Sequence, residues 1–273
     1  MASIGIFDSG YGGLTILRSI RHLMPQYDYI YLGDNARAPY GSRSFETVYH
    51  YTRQAVEALF RNDCQLIILA CNTASAKALR TIQQNDLLRP EYAGRRVLGV
   101  IRPTVEVIGD LSKSRHVGLL ATSGTVKSNS YALEIEKLHP DIKLSSLACP
   151  MWVPLVEYGE YDTEGAEYFV KKRIKQLRSM DSEIDTIILG CTHYPLLLPI
   201  IRKYTEGIEL VMQGEHVAIK LKDYLKRHAD IEQCCSKNGT CRYLTTESTE
   251  VFAQAASVFL EENIENAEKI SIE

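Results

Sequence analysis

The chain reads as an α/β protein of two similar lobes, each a mostly parallel sheet flanked by helices, with the active site in the cleft between them. Three observations predict this. Short apolar runs alternate with segments of helical periodicity over residues 1–204, the pattern of doubly wound parallel sheets. Two strand ends repeat, Leu66-Ile-Ile-Leu-Ala-Cys71-Asn-Thr73 and Thr186-Ile-Ile-Leu-Gly-Cys191-Thr-His193, 120 residues apart. A second pair recurs at an offset of 113 to 114: Ile4-Gly-Ile-Phe7 leading to Asp8-Ser-Gly10, and His116–Ala121 leading to Thr122-Ser-Gly-Thr125. One match would mean little, whereas two at nearly the same offset favour an internal duplication.

The elements follow in order. Ser3–Phe7 is a short apolar strand, and Asp8-Ser-Gly-Tyr-Gly-Gly13 is a turn carrying three glycines. Leu14–Met24 is a helix that ends before Pro25. Tyr27–Leu32 is a second strand, and residues 33–42 form a loop. Residues 44–62 have helical periodicity, the Cys71 strand comes next, and 74–85 is a helix. Near residue 96 the pattern restarts with a strand at Arg96–Val100 and a helix at Pro103–Leu111, proline at its start. The second half runs to about Tyr204. After it come a helix (215–228), a polar linker (229–240) and a last strand and helix (241–263). Residues 1–96 are therefore expected to form the first lobe and 97–204 the second. Residues 205–273 should complete the first lobe, because a tail of that size has too small a core to fold alone.

Composition narrows the function. Hydrophobic residues make up 45% and charged residues 24% of the 273, ordinary for a globular protein with a sizeable core. A net charge of −3, from 31 basic and 34 acidic residues, gives no electrostatic case for nucleic acid or an anionic membrane. No apolar run approaches a bilayer-spanning length, and Ser3–Phe7 is too short for the apolar region of a signal peptide; the expected location is cytoplasmic. Seven cysteines, at 64, 71, 149, 191, 234, 235 and 241, are odd in number and resemble no disulfide framework, so in a reducing compartment most are free thiols. Cys234, Cys235 and Cys241 cluster in a polar stretch, but the paired spacing of a zinc site is missing. They read as incidental thiols, and no metal is expected.

Ligands of open α/β sheets bind at the carboxyl ends of the strands. Cys71 and Cys191, presented from matching strand ends, suit a two-base proton transfer on one substrate. Asp8-Ser9-Gly10 is turn chemistry by default, although a carboxylate at a strand end also suits a substrate ammonium or a nearby thiol. Its Gly10-x-Gly12-Gly13 spacing is not a dinucleotide fingerprint. Pro39-Tyr40-Gly41-Ser42 is likewise turn-forming, and it exposes backbone N–H groups that attract carboxylates. Asn72, Thr73 and Thr192 are polar caps by default and equally fit to hold a carboxylate. His193, two residues from a strand-end cysteine, is placed to lower a thiol pKa. Glu157 would ordinarily be a surface residue on a short helix.

Six segments, in order over roughly residues 4–205, resemble glutamate racemases. They are Ile4-Gly-Ile-Phe-Asp8-Ser-Gly10; Gly33-Asp34 with Pro39-Tyr-Gly-Ser42; Ala70-Cys-Asn-Thr-Ala74; Gly118 with Ala121-Thr-Ser-Gly-Thr-Val126; Pro154-Leu-Val-Glu157; and Gly190-Cys-Thr-His-Tyr-Pro195. The last separates the chain from aspartate and hydantoin racemases, which share the paired-cysteine scaffold but usually lack that histidine. The resemblance implies a cofactor-independent enzyme that interconverts L- and D-glutamate and supplies D-glutamate for peptidoglycan. It implies that Cys71 acts on the D-enantiomer with help from Asp8, and Cys191 on the L-enantiomer with help from His193. Asp34 and Glu157 match supporting acids. Ser9, Tyr40, Gly41, Asn72, Thr73, Thr122, Thr125, Thr192 and His193 fall where the family binds substrate, and Ser42 belongs to the same loop. The expected partners are glutamate and a second copy of the chain in a homodimer.

The match fades after residue 205, where Met212-Gln213-Gly214 stands in place of an Asp that many relatives carry. Three rivals frame the reading. An aspartate racemase is disfavoured by His193 and the Pro39–Ser42 loop. A two-lobed binding protein with a dead site should have lost a cysteine, and a cysteine hydrolase leaves the second thiol unexplained.

Overall fold

The computed structural model describes residues 1–264 and 266–272. Among these, ten strands form two wholly parallel sheets. They are β1 (Ile4–Asp8), β2 (Tyr29–Gly33), β3 (Leu66–Leu69), β4 (Arg96–Gly99), β5 (His116–Ala121), β6 (Lys143–Ala148), β7 (Thr186–Gly190), β8 (Glu209–Val211), β9 (Cys241–Thr245) and β10 (Ala267–Lys269). The first sheet has the order β10-β9-β2-β1-β3-β4 and the second β6-β5-β7-β8.

The duplication read from the sequence is visible in that order. β2-β1-β3-β4 and β6-β5-β7-β8 are the same arrangement, first strand of each half in the middle and third beside it. β1, β3 and β7 are buried along their whole length, which is why they read as unbroken apolar runs rather than alternating ones. Pairing also decides membership at the borders. Arg96–Gly99, where the pattern restarts in sequence, pairs with β3 and closes the first sheet. Within residues 205–273, β8 extends the second sheet on β7, while β9 and β10 extend the first on β2. β10 has no counterpart in the sequence reading.

Helices depart from expectation at three places. The segment expected as one helix over 74–85 is two, Asn72–Lys77 and Leu79–Gln84, divided at Ala78. The helix expected from Pro103 starts two residues earlier, at Ile101. The linker at 229–240 holds a short helix, Ala229–Glu232.

The helices Leu14–Leu23, Gln213–Arg227 and Ile101–Leu111 pack in a row, the middle one touching both neighbours. One apolar cluster consequently runs from Ile4, Ile6 and Leu17 through Val217 and Leu221 to Leu120, Trp152 and Tyr194. This cluster, shared between the sheets, ties the lobes together, while two further clusters each pack on one sheet. Among the described residues, no helix is long and apolar enough to cross a membrane.

Candidate active site

The carboxyl ends of β1, β3, β5 and β7 converge on one cavity of about 150 Å³. Ser9, Tyr40, Gly41, Ser42, Cys71, Asn72, Thr73, Thr122, Cys191, Thr192, His193 and Glu157 line it, together with Cys149, Pro150 and Val153. Cys71 comes from the first lobe and Cys191 from the second, and both are buried, at 6% and 7% exposure.

The lobes meet at two tight places. A Cβ on Gly12 would collide with Thr192 Oγ1 and His193 Nδ1, and one on Gly41 would lie 2.9 Å from Thr122 Cβ. Glycine at these positions lets the turn after β1 and the loop after β2 press against the opposite lobe. Polar bonds fasten both seams: Thr192 Oγ1 donates to Asp8 Oδ2 (3.3 Å), and the Gly124 N–H donates to the Gly41 carbonyl (2.7 Å).

Cys71 is the N-cap of Asn72–Lys77, its Sγ accepting the Ala74 N–H at 3.5 Å. Ser9 Oγ lies 3.3 Å from the same sulfur. Burial, reinforced by the Asp8 charge, pushes this thiol up to about 12, against the opposing bonds from Ser9 and Ala74. The group is held as a thiol at neutral pH.

Cys191 has a different neighbour. Its Sγ lies 3.9 Å from His193 Nδ1, and His193 Nε2 is 3.1 Å from Glu157 Oε1. Burial alone would lower the His193 pKa. The Cys191 and Glu157 partners outweigh it and raise the imidazole to about 10, so it is cationic at neutral pH and sets a positive charge beside the Cys191 sulfur. Phe259, from the helix Thr249–Leu260, packs edge-on against the His193 ring with centroids 5.5 Å apart.

Asp8, Asp34 and Thr125 stand behind the wall. Asp8 is fully buried; its Oδ1 accepts the Gly10 N–H at 2.9 Å. Burial raises its carboxyl, opposed by the His193 charge, the Gly10 and Gly13 N–H groups and the Thr192 hydroxyl. Asp34 accepts hydrogen bonds from Tyr40, Arg37 (2.7 Å) and Thr246 (3.0 Å), and so orients the 35–42 loop rather than facing a ligand. Thr125 shares a hydroxyl cluster with Thr73 and Thr122. The Asn72 side chain is committed to Gln213 and Tyr131.

Sequence reasoning missed Cys149, Pro150, Val153, Gln213 and Tyr131. A buried Cys149 carries no pattern beyond that of a small apolar residue, and contacts separated by 59 to 141 residues leave no local signal. Cys234 and Cys235 bond backbone carbonyls of their own helical turn, Asp230 O at 3.2 Å and Ile231 O at 3.3 Å. Among the described residues no group of three or more His, Cys, Asp or Glu is arranged to hold a metal.

The sequence pattern of the Asp/Glu/Hydantoin racemase family matches residues 14–221. A glutamate racemase of Geobacter metallireducens is 38% identical over 272 residues, covering 99% of this chain and 97% of its own. Among solved structures, a glutamate racemase isoform of Bacillus anthracis superposes with a TM-score of 0.89 at 33% identity, covering 99% of this chain and 97% of that one. The glutamate racemase of Francisella tularensis in complex with D-glutamate gives 0.88 at 31% identity, covering 99% and 98%.

Proposed function

The chain belongs to the Asp/Glu/Hydantoin racemase family and within it to the glutamate racemases, and on that premise we propose that it interconverts L- and D-glutamate by passing protons through Cys71 and Cys191. The observation that carries the mechanism is two buried thiols, one from each lobe, in the wall of a single cavity.

The protonation states favour one starting arrangement. With the cationic His193 3.9 Å from Cys191 Sγ and Cys71 held as a thiol by burial and the Asp8 charge, the proposed cycle opens with Cys191 as the base and Cys71 as the acid. The Cys191 thiolate takes the Cα proton of one enantiomer and becomes a thiol. Cys71 gives its proton to the opposite face of the resulting carbanion and becomes the thiolate. The proton count is unchanged and the two sulfurs have exchanged roles, so the reverse reaction starts from the state the forward one leaves. By the family pattern the first enantiomer is L. Hydroxyls of Ser9, Ser42, Thr73 and Thr122 and the backbone N–H groups of the 41–42 loop supply donors for the two carboxylates. Donors fixed in a cavity of this kind stabilise charge that develops on the α-carboxylate in the carbanion. Asp8 and Asp34 act at one remove, by holding the turn after β1 and the 35–42 loop.

The same reading makes the protein a cytoplasmic, cofactor-independent homodimer supplying D-glutamate for peptidoglycan, and hence for cell-wall biogenesis and cell shape. The test is polarimetric: purified protein with no added cofactor should bring either enantiomer of glutamate to zero optical rotation. Inversion of aspartate in preference to glutamate, or no activity until a cofactor is added, would refute the assignment.

A further inference from the structure

A closed ring of hydrogen bonds lies against the residue that follows Cys71. Asn72 Nδ2 donates to Gln213 Oε1 (2.5 Å), Gln213 Nε2 donates to Tyr131 Oη (2.9 Å), and Tyr131 Oη donates to Asn72 Oδ1 (2.7 Å). The second Gln213 Nε2 proton goes to Thr104 Oγ1 (2.9 Å), whose own hydroxyl proton goes to the Val100 carbonyl (2.7 Å). Asn72, Gln213, Tyr131 and Thr104 are all at most 4% exposed.

The ring is directional. Turning either amide over would set two acceptors or two donors against each other, so each side chain has one orientation. Asn72 is left with a single uncommitted N–H proton, and it is the only one of the four that lines the cavity. The members come from four places: the start of the Asn72–Lys77 helix, the helix Ser130–Leu138 of the second lobe, Ile101–Leu111, and the first residue of Gln213–Arg227. The turn that carries Cys71 is thereby registered against the opposite lobe. The residue after Cys191 is also tied across the cleft, by Thr192 Oγ1 to Asp8 Oδ2 and by Thr15 Oγ1 to the Thr192 carbonyl (3.3 Å each), but among the described residues no amide ring holds it, and Cys191 itself faces His193 backed by Glu157.

We infer that Gln213 and Tyr131 are positioning residues for the Cys71 half of the reaction, holding Asn72 and with it the Cys71 sulfur against the substrate carbon. This rests on the two-thiol reading above. It assigns a task to Gln213, a residue to which the sequence reading gave none.

The prediction has a direction that a general structural weld lacks. If Cys71 is displaced, only its own proton transfer becomes slower. The kinetic isotope effect on kcat/KM measured with the 2-deuterated enantiomer that Cys71 deprotonates should rise. The effect with the other enantiomer, deprotonated by Cys191, should fall toward unity because that step limits the rate less. Gln213→Met, equal in length but without the amide, should lower kcat about 10-fold, as misplacement of a reacting group does, with KM changed by less than about twofold. Tyr131→Phe removes one hydroxyl and keeps the ring's volume, so it serves as the test even if Gln213→Met fails to fold; the same opposed shifts are expected at smaller size. Circular-dichroism melting controls for folding, and the face served by Cys71 is identified by which enantiomer a Cys191→Ser variant deprotonates. Isotope effects that stay unchanged, or move together, in the folded variant would overturn the inference while leaving the two-thiol reading intact. A wild-type chain that does not racemise glutamate overturns both.

Discussion

Cys71 and Cys191 end the third strand of each half, and the two sheets deliver them to one cavity through the same strand order. Their surroundings nevertheless differ in charge. Cys191 lies beside an imidazole that is backed by a carboxylate and raised to about 10. Cys71 sits against a neutral hydroxyl and one helix N–H, with a buried carboxylate behind it, and is pushed up to about 12. Duplication supplied symmetric geometry, and divergence of the flanking residues broke the electrostatic symmetry. In the two-thiol mechanism proposed above, where one sulfur gives a proton while the other takes one, that break assigns the starting acid to Cys71.

The most severe way to test the comparison is to remove each thiol in turn. Cys71→Ser and Cys191→Ser should each lower racemisation about 10⁴-fold, the upper range for loss of an acid–base group. Each variant should still eliminate a good β-leaving group from an amino-acid analogue, and the two should prefer opposite enantiomers. A shared preference would show that the thiols do not serve opposite faces.

Removing the cation from one side sharpens it. His193→Asn should cost about 10²-fold in kcat, and Glu157→Gln about 10-fold. Wild-type activity should fall as pH rises through about 10, where the imidazole loses its proton, and in Glu157→Gln that fall should come at lower pH. The same group has a stability signature. Its pKa rises on folding from 6.5 to about 10, so its contribution is full below pH 6.5 and is lost as pH climbs through about 10. The melting difference between wild type and His193→Asn should shrink over that interval.

Removing the anion from the other side should be milder. Asp8→Asn takes away a charge that raises Cys71, so titration of thiolate absorbance in a Cys191→Ser background should show Cys71 ionising at lower pH. Turnover should fall about 10-fold, since the Asp8 side chain also holds the Gly10 N–H. An unmoved titration would deny Asp8 its part in the asymmetry.

The smallest catalytic effect is expected from a carboxylate that fastens a loop away from the cavity. Asp28 fastens the 236–240 segment to the first sheet, accepting from Asn238 Nδ2 (2.6 Å) and from the Thr240 N–H (2.9 Å) and hydroxyl (2.7 Å). Burial opposes its charge, but these bonds and one from Ser236 hold the carboxyl well below 3.8. Asp28→Ala should cost about 2 kcal/mol of stability and leave kcat unchanged. The native contribution is full above pH 3.8 and is lost as pH falls below it, which acid melting curves will show.

Much of the site was legible because a fully buried parallel strand leaves a short, nearly continuous apolar run, and whatever follows that run is at a strand end by construction. Cys71, Cys191, Ser9, Asn72, Thr73, Thr122, Thr192 and His193 all follow such runs, and all line the cavity. Glu157 gave no such signal, being on a short helix, and only the resemblance singled it out. Asp8 and Asp34 also follow strands but point behind the wall, a distinction that strand position cannot make.

Local patterning and the repeat were enough for the sequence alone to determine the alternation of strands and helices, the duplication and the pairing of two strand-end thiols. Tertiary structure alone decided which sheet each border strand joins. An apolar run such as Arg96–Gly99 or Glu209–Val211 satisfies its backbone equally well on either sheet, and the choice rests on neighbours far away in sequence. It also decided the ring of Asn72, Gln213 and Tyr131. Hydrogen bonds between residues 59 to 141 positions apart are fixed by how the two sheets are set against each other. The difference in the charges around the two thiols likewise arose only on folding, because burial and a histidine 3.9 Å away act through space.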